Sequence, residues 1–200
     1  MSRAIVLDVD CVIFDFYLGF EKSASISLKR DIKPVRKVYN LCERYDLTPS
    51  ELAQTFEHLG ENFDKFTLLK DADTAFHALR EADFSIHLVT SIYPSLEQKR
   101  ITNLLTYNLQ PDTIDCVDSF SKEPFIRRYA PIAFADDRIE NLFGVADFVD
   151  NLVLINNGDD QKGFEDKRHL ITHEAPSLYE WVVSVPEFLE KPRMRRGMRF

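Results

Sequence analysis

Two aspartates one residue apart, Asp8 and Asp10, are the residues of this 200-residue chain best suited to chemistry. They follow the apolar run Ala4–Leu7, and apolar residues resume after them. Such a run predicts a buried parallel strand, and open α/β sheets bind ligands at the carboxyl ends of their strands. Two buried carboxylates are costly unless a cation or hydrogen bonds neutralise them. The pair therefore predicts a site for chemistry, the alternatives being a calcium-binding loop or a solvated turn.

Polar residues also end two further predicted strands. Thr90 and Ser91 end one of them, and Asp136 and Asp137 end the other. Because parallel strands point the same way, all these side chains should gather at one edge of the sheet. Clustered carboxylates need a cation, and oxygen ligands without His or Cys favour a hard ion, above all Mg²⁺.

The elements that must position these residues alternate between strand and helix, which predicts an α/β fold with a parallel sheet. Predicted strands begin at residues 4, 84, 113, 131 and 151. Apolar spacing predicts helices over residues 33–45 and 71–81, and Thr48-Pro49-Ser50-Glu51 predicts a helix start with a threonine cap. We therefore expect a helical lobe over residues 15–82 and a core formed by residues 1–14 and 83–200.

The composition excludes several classes of protein. The net charge of −8 argues against broad nucleic-acid binding, and no apolar run is long enough to span a membrane. The basic tail Lys191–Arg199 is best explained as a solvated terminus with at most weak phosphate attraction. Cys11, Cys42 and Cys116 have neither metal-ligand nor disulfide spacing, and the N-terminus has no signal-peptide pattern. A reducing cytoplasm is the expected setting.

The order of these motifs resembles the haloacid dehalogenase-like (HAD) hydrolases. That family has Asp-x-Asp after its first strand, Thr or Ser after another, a Lys, and then a carboxylate pair. The matching residues here are Asp8, Asp10, Thr90, Lys122, Asp136 and Asp137. The resemblance covers the whole chain and implies a Rossmann-like core with a helical C1 cap, residues 15–82, inserted after the first strand. Shorter matches resemble the 5′(3′)-deoxyribonucleotidase branch: Asp15-Phe16, Thr90-Ser91 and Asp136-Asp137-Arg138.

The resemblance implies a catalytic mechanism. Asp8 would attack phosphorus and carry an aspartyl-phosphate, and Asp10 would act as general acid and then general base. Mg²⁺ would be bound by Asp8, by the backbone carbonyl of Asp10 and by Asp136 or Asp137, the choice between the last two being open. Cys11 departs from the family, which most often has Gly there; a tolerated small residue is a simpler explanation than a redox-sensitive one.

The resemblance also implies phosphate and substrate contacts. Thr90, Ser91 and Lys122 would bind the phosphoryl oxygens. Lys122 is somewhat far in sequence from Asp136 for the nucleotidase branch, and Lys99 is a weaker substitute because it lies within a predicted helix. Phe16 is the candidate to stack on a base when the cap closes.

The expected function is Mg²⁺-dependent hydrolysis of a small phosphorylated metabolite, with a nucleoside monophosphate as the first choice. A sugar phosphate or another small phosphomonoester is the alternative within the same reaction class. A catalytically silent HAD-like binding or regulatory protein is an alternative of another class, disfavoured because no motif position is lost. A dehalogenase is disfavoured because Asp10 and the acidic fourth motif suit phosphate and metal.

Overall fold

A computed structural model describes residues 3–118, 121–159, 161 and 163–185. The strands of the described residues are β1 (Arg3–Leu7), β2 (Phe84–Thr90), β3 (Thr113–Cys116), β4 (Ala133–Asp136), β5 (Asn151–Ile155) and β6 (His173–Ala175). They form one sheet in the order β3-β2-β1-β4-β5-β6, and every neighbouring pair is parallel. The predicted α/β class and parallel sheet are confirmed.

Eight α-helices occur in the described part of the chain. They are α1 (Phe16–Ser27), α2 (Leu41–Tyr45), α3 (Pro49–Glu61), α4 (Ala72–Glu81), α5 (Glu97–Thr106), α6 (Glu123–Tyr129), α7 (Ile139–Phe143) and α8 (Leu178–Ser184). Short 3₁₀ turns at Phe63–Lys65 and Pro94–Leu96 precede α4 and α5 respectively. None of the helices among the described residues is both long and apolar enough to cross a membrane.

Apolar side chains cover both faces of the sheet. Ile5 and Leu7 of β1 belong to one buried cluster, whereas Val6 belongs to a second cluster. Because side chains alternate between the two faces of a strand, a strand covered on both sides must be apolar throughout. This explains the uninterrupted apolar run that ends at Asp8.

The segment between β1 and β2 forms a helical lobe beside the sheet. Asp15 caps α1 by accepting a hydrogen bond of 2.9 Å from the backbone N–H of Leu18, and α1 then packs extensively against α3. In contrast, α4 makes its most extensive contacts with α8 and β2 of the core. Within the predicted cap of residues 15–82, the helices that pack on one another are therefore α1–α3.

One helix prediction was wrong. Residues 33–45 were expected to be helical throughout, but only Leu41–Tyr45 is a helix. Val35 and Tyr39 of the predicted apolar stripe are 63% and 54% exposed, so the stripe has no core face to drive helix formation. The backbone N–H of Val35 instead donates to the carbonyl of Arg44 at 2.7 Å.

Other differences concern short elements. β6, α6 and α7 have three, seven and five residues, too few to show a clear sequence period. The helices predicted from Thr48 and over residues 71–81 are confirmed within one residue at each start. The tail Lys191–Arg199 lies outside the described residues.

Candidate active site

The two aspartate pairs, one after β1 and one at the end of β4, lie where the strand order of the sheet reverses. β1 and β4 are neighbours at the centre of the sheet, and the backbone N–H of Asp8 donates to the carbonyl of Ala135 at 2.9 Å. Connections from β1 and from β4 lead to opposite halves of the sheet, which leaves a crevice at the carboxyl ends of these strands. Asp8 and Asp136 are placed in this crevice by the ends of β1 and β4.

Lys122 connects these two aspartates. Its Nζ donates to Oδ1 of Asp8 and to Oδ2 of Asp136, each at 2.8 Å, and the residue is only 2% exposed. Burial alone would lower the pKa of Lys122, but the carboxylates of Asp136 and Asp8 raise it above its ordinary value. Lys122 is therefore a permanent cation at the site. Lys99, the substitute considered from the sequence, donates to the carbonyls of Gly60 and Glu61 instead.

Asp8 is strongly destabilised as an anion by its burial. Burial raises its pKa from 3.8 to about 7, against the opposing effect of Lys122 and with a further contribution from Asp136. Burial likewise raises the pKa of Asp137 well above its ordinary value, with Asp136 and Asp8 adding to the increase. Three carboxylates therefore share this edge with Lys122 as the cation that contacts them among the described residues, and ionising all three without a further cation is costly.

Asp136 and Asp137 differ in the hydrogen bonds they accept. Asp136 accepts from Lys122, from the backbone N–H of Arg138 at 2.8 Å, and at 3.0 Å to each oxygen from Nδ2 of Asn141. Among the described residues, no hydrogen-bond donor contacts the carboxylate of Asp137. Asp136 is thus held by protein donors, whereas the oxygens of Asp137 remain available to a cation.

Three buried carboxylates could hold a metal ion. One oxygen from each of Asp8, Asp136 and Asp137 can be chosen so that all three lie within 4.8 Å of one another. An all-oxygen donor set with uncompensated negative charge suits a hard cation such as Mg²⁺, so the residues fit the expected ion. The carboxylate of Asp10 pairs with Arg100 instead, which leaves its backbone carbonyl as the expected ligand atom.

The predicted phosphate-binding residues differ in their environments. Thr90 ends β2 and is buried, and its Oγ1 has no hydrogen-bond partner among the described residues. A buried hydroxyl without a protein partner is uncommon, and this one is free to donate to a bound group. Ser91 is exposed at the strand end. Thr90 thus offers a free donor at the same sheet edge as Lys122.

Arg100 was not found by sequence reasoning. This side chain of α5 is fully buried, and its Nη2 donates to Oδ1 of Asp10 at 2.5 Å. The available signal was a charge on the apolar face of a helix, since Arg100 and Leu104 are one turn apart and both buried. The partner could not have been read from the sequence, because Asp10 lies 90 positions away.

Cys11 occupies a backbone conformation that glycine adopts more easily than any residue with a side chain. Its φ is +62°, in the left-handed region where a side chain is strained. Burial raises the pKa of its thiol well above the ordinary value, and Asp137 and Asp10 add to this. The thiol form is a weak nucleophile, so the environment favours the tolerated-residue explanation over a redox-sensitive one.

The lobe contacts the core next to the aspartates. Asp159, in the segment after β5, accepts hydrogen bonds from the Tyr17 hydroxyl of α1 and, at 2.6 Å, from Arg44 of α2. A cavity of about 80 Å³ is lined in part by Tyr39, Asp137 and Asp159. Phe16 is half-buried, and its ring contacts those of Tyr17, Phe20 and Phe66.

The chain matches no family model and no curated protein. Its fold is similar to solved structures of HAD-family hydrolases. One is a HAD-family hydrolase from Deinococcus radiodurans with bound phosphate and sodium, at 14% identity and a TM-score of 0.64, covering 96% of this chain and 99% of that chain. Another is a dehalogenase, at 15% identity and a TM-score of 0.63, covering 95% and 98%. A predicted phosphoglycolate phosphatase from Haemophilus somnus has 11% identity and a TM-score of 0.63, covering 92% and 98%.

The TM-scores of 0.63–0.64 establish a shared fold. The Rossmann-like architecture expected from the motif resemblance is therefore confirmed, because each comparison extends over nearly the full length of both chains. The nucleotidase branch is not represented among these three structures. Reaction and substrate must be argued from the site itself.

Proposed function

We propose that this protein is a Mg²⁺-dependent phosphomonoesterase of the HAD type that acts through an aspartyl-phosphate on Asp8. The observation that carries the proposal is the buried cluster of Asp8, Lys122 and Asp136, together with the hydroxyl of Thr90 at the end of the neighbouring strand β2, which has no partner among the described residues. A nucleophilic carboxylate with a fixed cation and a free hydroxyl donor suits an incoming phosphate. The cluster gives no such support to a silent binding protein, which would not need a buried nucleophile.

The proposed reaction uses this chain's residues in two steps. A carboxylate oxygen of Asp8 forms a bond to phosphorus while the bond from phosphorus to the leaving oxygen breaks, and Asp10 gives that oxygen a proton. Asp10 then takes a proton from water, which attacks the phosphorus, releases inorganic phosphate and restores Asp8. Lys122 and Thr90 hold the phosphoryl oxygens in both steps.

The metal has a supporting role in this proposal. Asp8, Asp137 and the backbone carbonyl of Asp10 would hold Mg²⁺, with Asp136 oriented by its own hydrogen bonds and by Lys122. When bound, the ion supplies positive charge that screens Asp8 from the phosphate it attacks. We expect Ca²⁺ to support little activity, since it prefers more ligands and looser geometry.

We propose a nucleoside monophosphate as the substrate, with sugar phosphates as the second candidate. Phe16 supports this choice, because a base could stack on a half-buried ring that follows the catalytic strand closely. The cavity of about 80 Å³ beside Asp137 is too small for a nucleotide, since ligand pockets usually measure roughly 300–1,000 Å³. Substrate entry would therefore require the lobe contacts to Asp159 to open.

A phosphatase screen tests this proposal. Purified protein should release phosphate from p-nitrophenyl phosphate and, at higher kcat/KM, from nucleoside monophosphates; EDTA should abolish both activities and Mg²⁺ should restore them. Preference for sugar phosphates would overturn the nucleotide assignment and leave the reaction class standing. Absence of turnover on the whole panel with Mg²⁺ would favour the silent binding protein.

A further inference from the structure

We infer that Arg100 is a positioning residue that holds Asp10 in the orientation needed for proton transfer. The inference rests on the proposed function, since it assigns Asp10 the role of proton donor to the leaving group. It concerns a residue of α5, outside the four motifs that define the site.

The guanidinium group of Arg100 is surrounded by three aromatic rings. Its guanidinium carbon lies 4.3 Å from the ring centre of Phe63, 5.1 Å from that of Phe14 and 5.2 Å from that of Phe66. The one charged partner among the described residues is Asp10, whereas Nε and Nη1 have no hydrogen-bond partner there. Ring faces attract the cation but leave these two donors unsatisfied.

This arrangement is poorly explained as a stabilising feature of the core. Burying a charge costs free energy that a single ion pair does not reliably return, and an apolar residue of similar size is often at least as stable. The ring contacts enclose Arg100 on several sides, so the guanidinium cannot move freely. A fixed donor on Oδ1 of Asp10 restricts the rotation of that carboxylate.

The restriction matters because Arg100 is the one hydrogen-bond donor to the Asp10 carboxylate among the described residues. The Asp10 side chain is 20% exposed, in contrast to the buried Asp8 and Asp136. Proton transfer requires the acid to lie within hydrogen-bond reach of the leaving oxygen. Arg100 donates to Oδ1 of Asp10 and leaves Oδ2 to carry the proton that passes to the leaving oxygen.

The same face of the α5 region also contacts the helical lobe, at the backbone of Phe66. Asn103 and Tyr107 of the α5 region both donate to the backbone carbonyl of Phe66, at 2.9 and 3.2 Å. With Arg100 these residues share one face, at the helical spacing i, i+3 and i+7. The helix that orients Asp10 therefore also contacts the backbone of the lobe at Phe66.

The test compares leaving groups of similar size. Phenyl phosphate needs a proton on its departing oxygen more than p-nitrophenyl phosphate or 2,4-dinitrophenyl phosphate does, because nitro groups stabilise the departing anion. Arg100→Met should lower kcat/KM on phenyl phosphate at least tenfold more than on 2,4-dinitrophenyl phosphate, within the roughly 10²- to 10⁴-fold that a general acid supplies. Asp10→Asn should show the same selectivity, and the double variant should be no worse than Asp10→Asn alone.

The ratio of the two kcat/KM values protects this test from incomplete folding, because a smaller active fraction lowers both values equally. Arg100→Lys serves if Arg100→Met yields no folded protein, and should give a smaller shift in the same direction. Arg128→Met is the matched control, since Arg128 is an exposed arginine paired with Asp115, and should leave the ratio unchanged. Equal losses on all three esters, or additive effects in the double variant, would overturn the inference. An inactive wild type would instead overturn the proposed function.

Discussion

Charge balance is the dominant property of the site at the scale of single residues. Asp8, Asp136 and Asp137 share a buried edge with one described cation in contact, Lys122. Burial raises the pKa values of Asp8 and Asp137, so the folded metal-free protein holds these protons more tightly than the unfolded chain does. The stability that these two groups contribute is therefore greatest below their unfolded pKa and falls as the pH rises through the folded values.

Magnesium should reverse this loss of stability. Because Mg²⁺ competes with protons for the same carboxylates, the increase in Tm caused by a fixed Mg²⁺ concentration should be larger at pH 8 than at pH 6. Thermal unfolding followed by fluorescence at both pH values measures this. Asp137→Asn should reduce the increase, whereas Asp150→Asn, at an exposed position, should not. Equal increases at both pH values would contradict the charge argument.

From the sequence, the placement of polar residues at strand ends could be predicted, whereas the contacts of residues elsewhere could not. Asp8, Thr90 and Asp136 could be expected to meet because their strands are parallel, and the structure places all three at one sheet edge. The role of Arg100 could not be predicted, because its pairing with Asp10 depends on how α5 packs against the segment after β1. The preference for Asp137 as the ligand also required the hydrogen bonds of Asp136.

At the scale of elements, a sequence motif predicted a helix correctly where the interacting groups lie within the motif itself. The cap of α3 is complete within four residues: Thr48 Oγ1 accepts from the Glu51 N–H at 3.3 Å, and Glu51 accepts from the Thr48 N–H at 2.9 Å. The helix predicted over residues 33–45 relied on an apolar stripe, which stabilises a helix only if it packs against the core. Val35 of this stripe is exposed and packs against no such surface. Periodicity alone thus fails where tertiary packing decides.

Removal of the α3 cap should destabilise the lobe. Thr48→Ala should lower the free energy of unfolding by about 1 kcal/mol, the usual effect of losing a threonine N-cap. Ser50→Ala, at an exposed position of the same first turn, is the matched control and should change it far less. Urea denaturation followed by circular dichroism measures both, and equal effects would mean that the cap contributes nothing specific.

At the scale of the whole molecule, a lobe and a sheet edge enclose the site. Tyr17 and Arg44 of the lobe bind Asp159 of the core, and Arg138 lies 3.9 Å from the ring centre of Tyr39. These contacts link the lobe to the segments that follow β4 and β5. In the proposed cycle, the lobe opens to admit substrate and closes to exclude water while Asp8 carries the phosphoryl group.

Trapping of that covalent intermediate tests the central claim most directly. Protein mixed with Mg²⁺ and p-nitrophenyl phosphate, quenched in acid within the first turnovers, should carry one phosphate on the peptide that contains Asp8. Mass spectrometry should locate this adduct at Asp8, and hydroxylamine should remove it as it does other acyl phosphates. Asp8→Asn should show neither adduct nor turnover while keeping its fold. Phosphate release by the wild type without a trappable adduct, or substantial turnover by Asp8→Asn, would contradict the account.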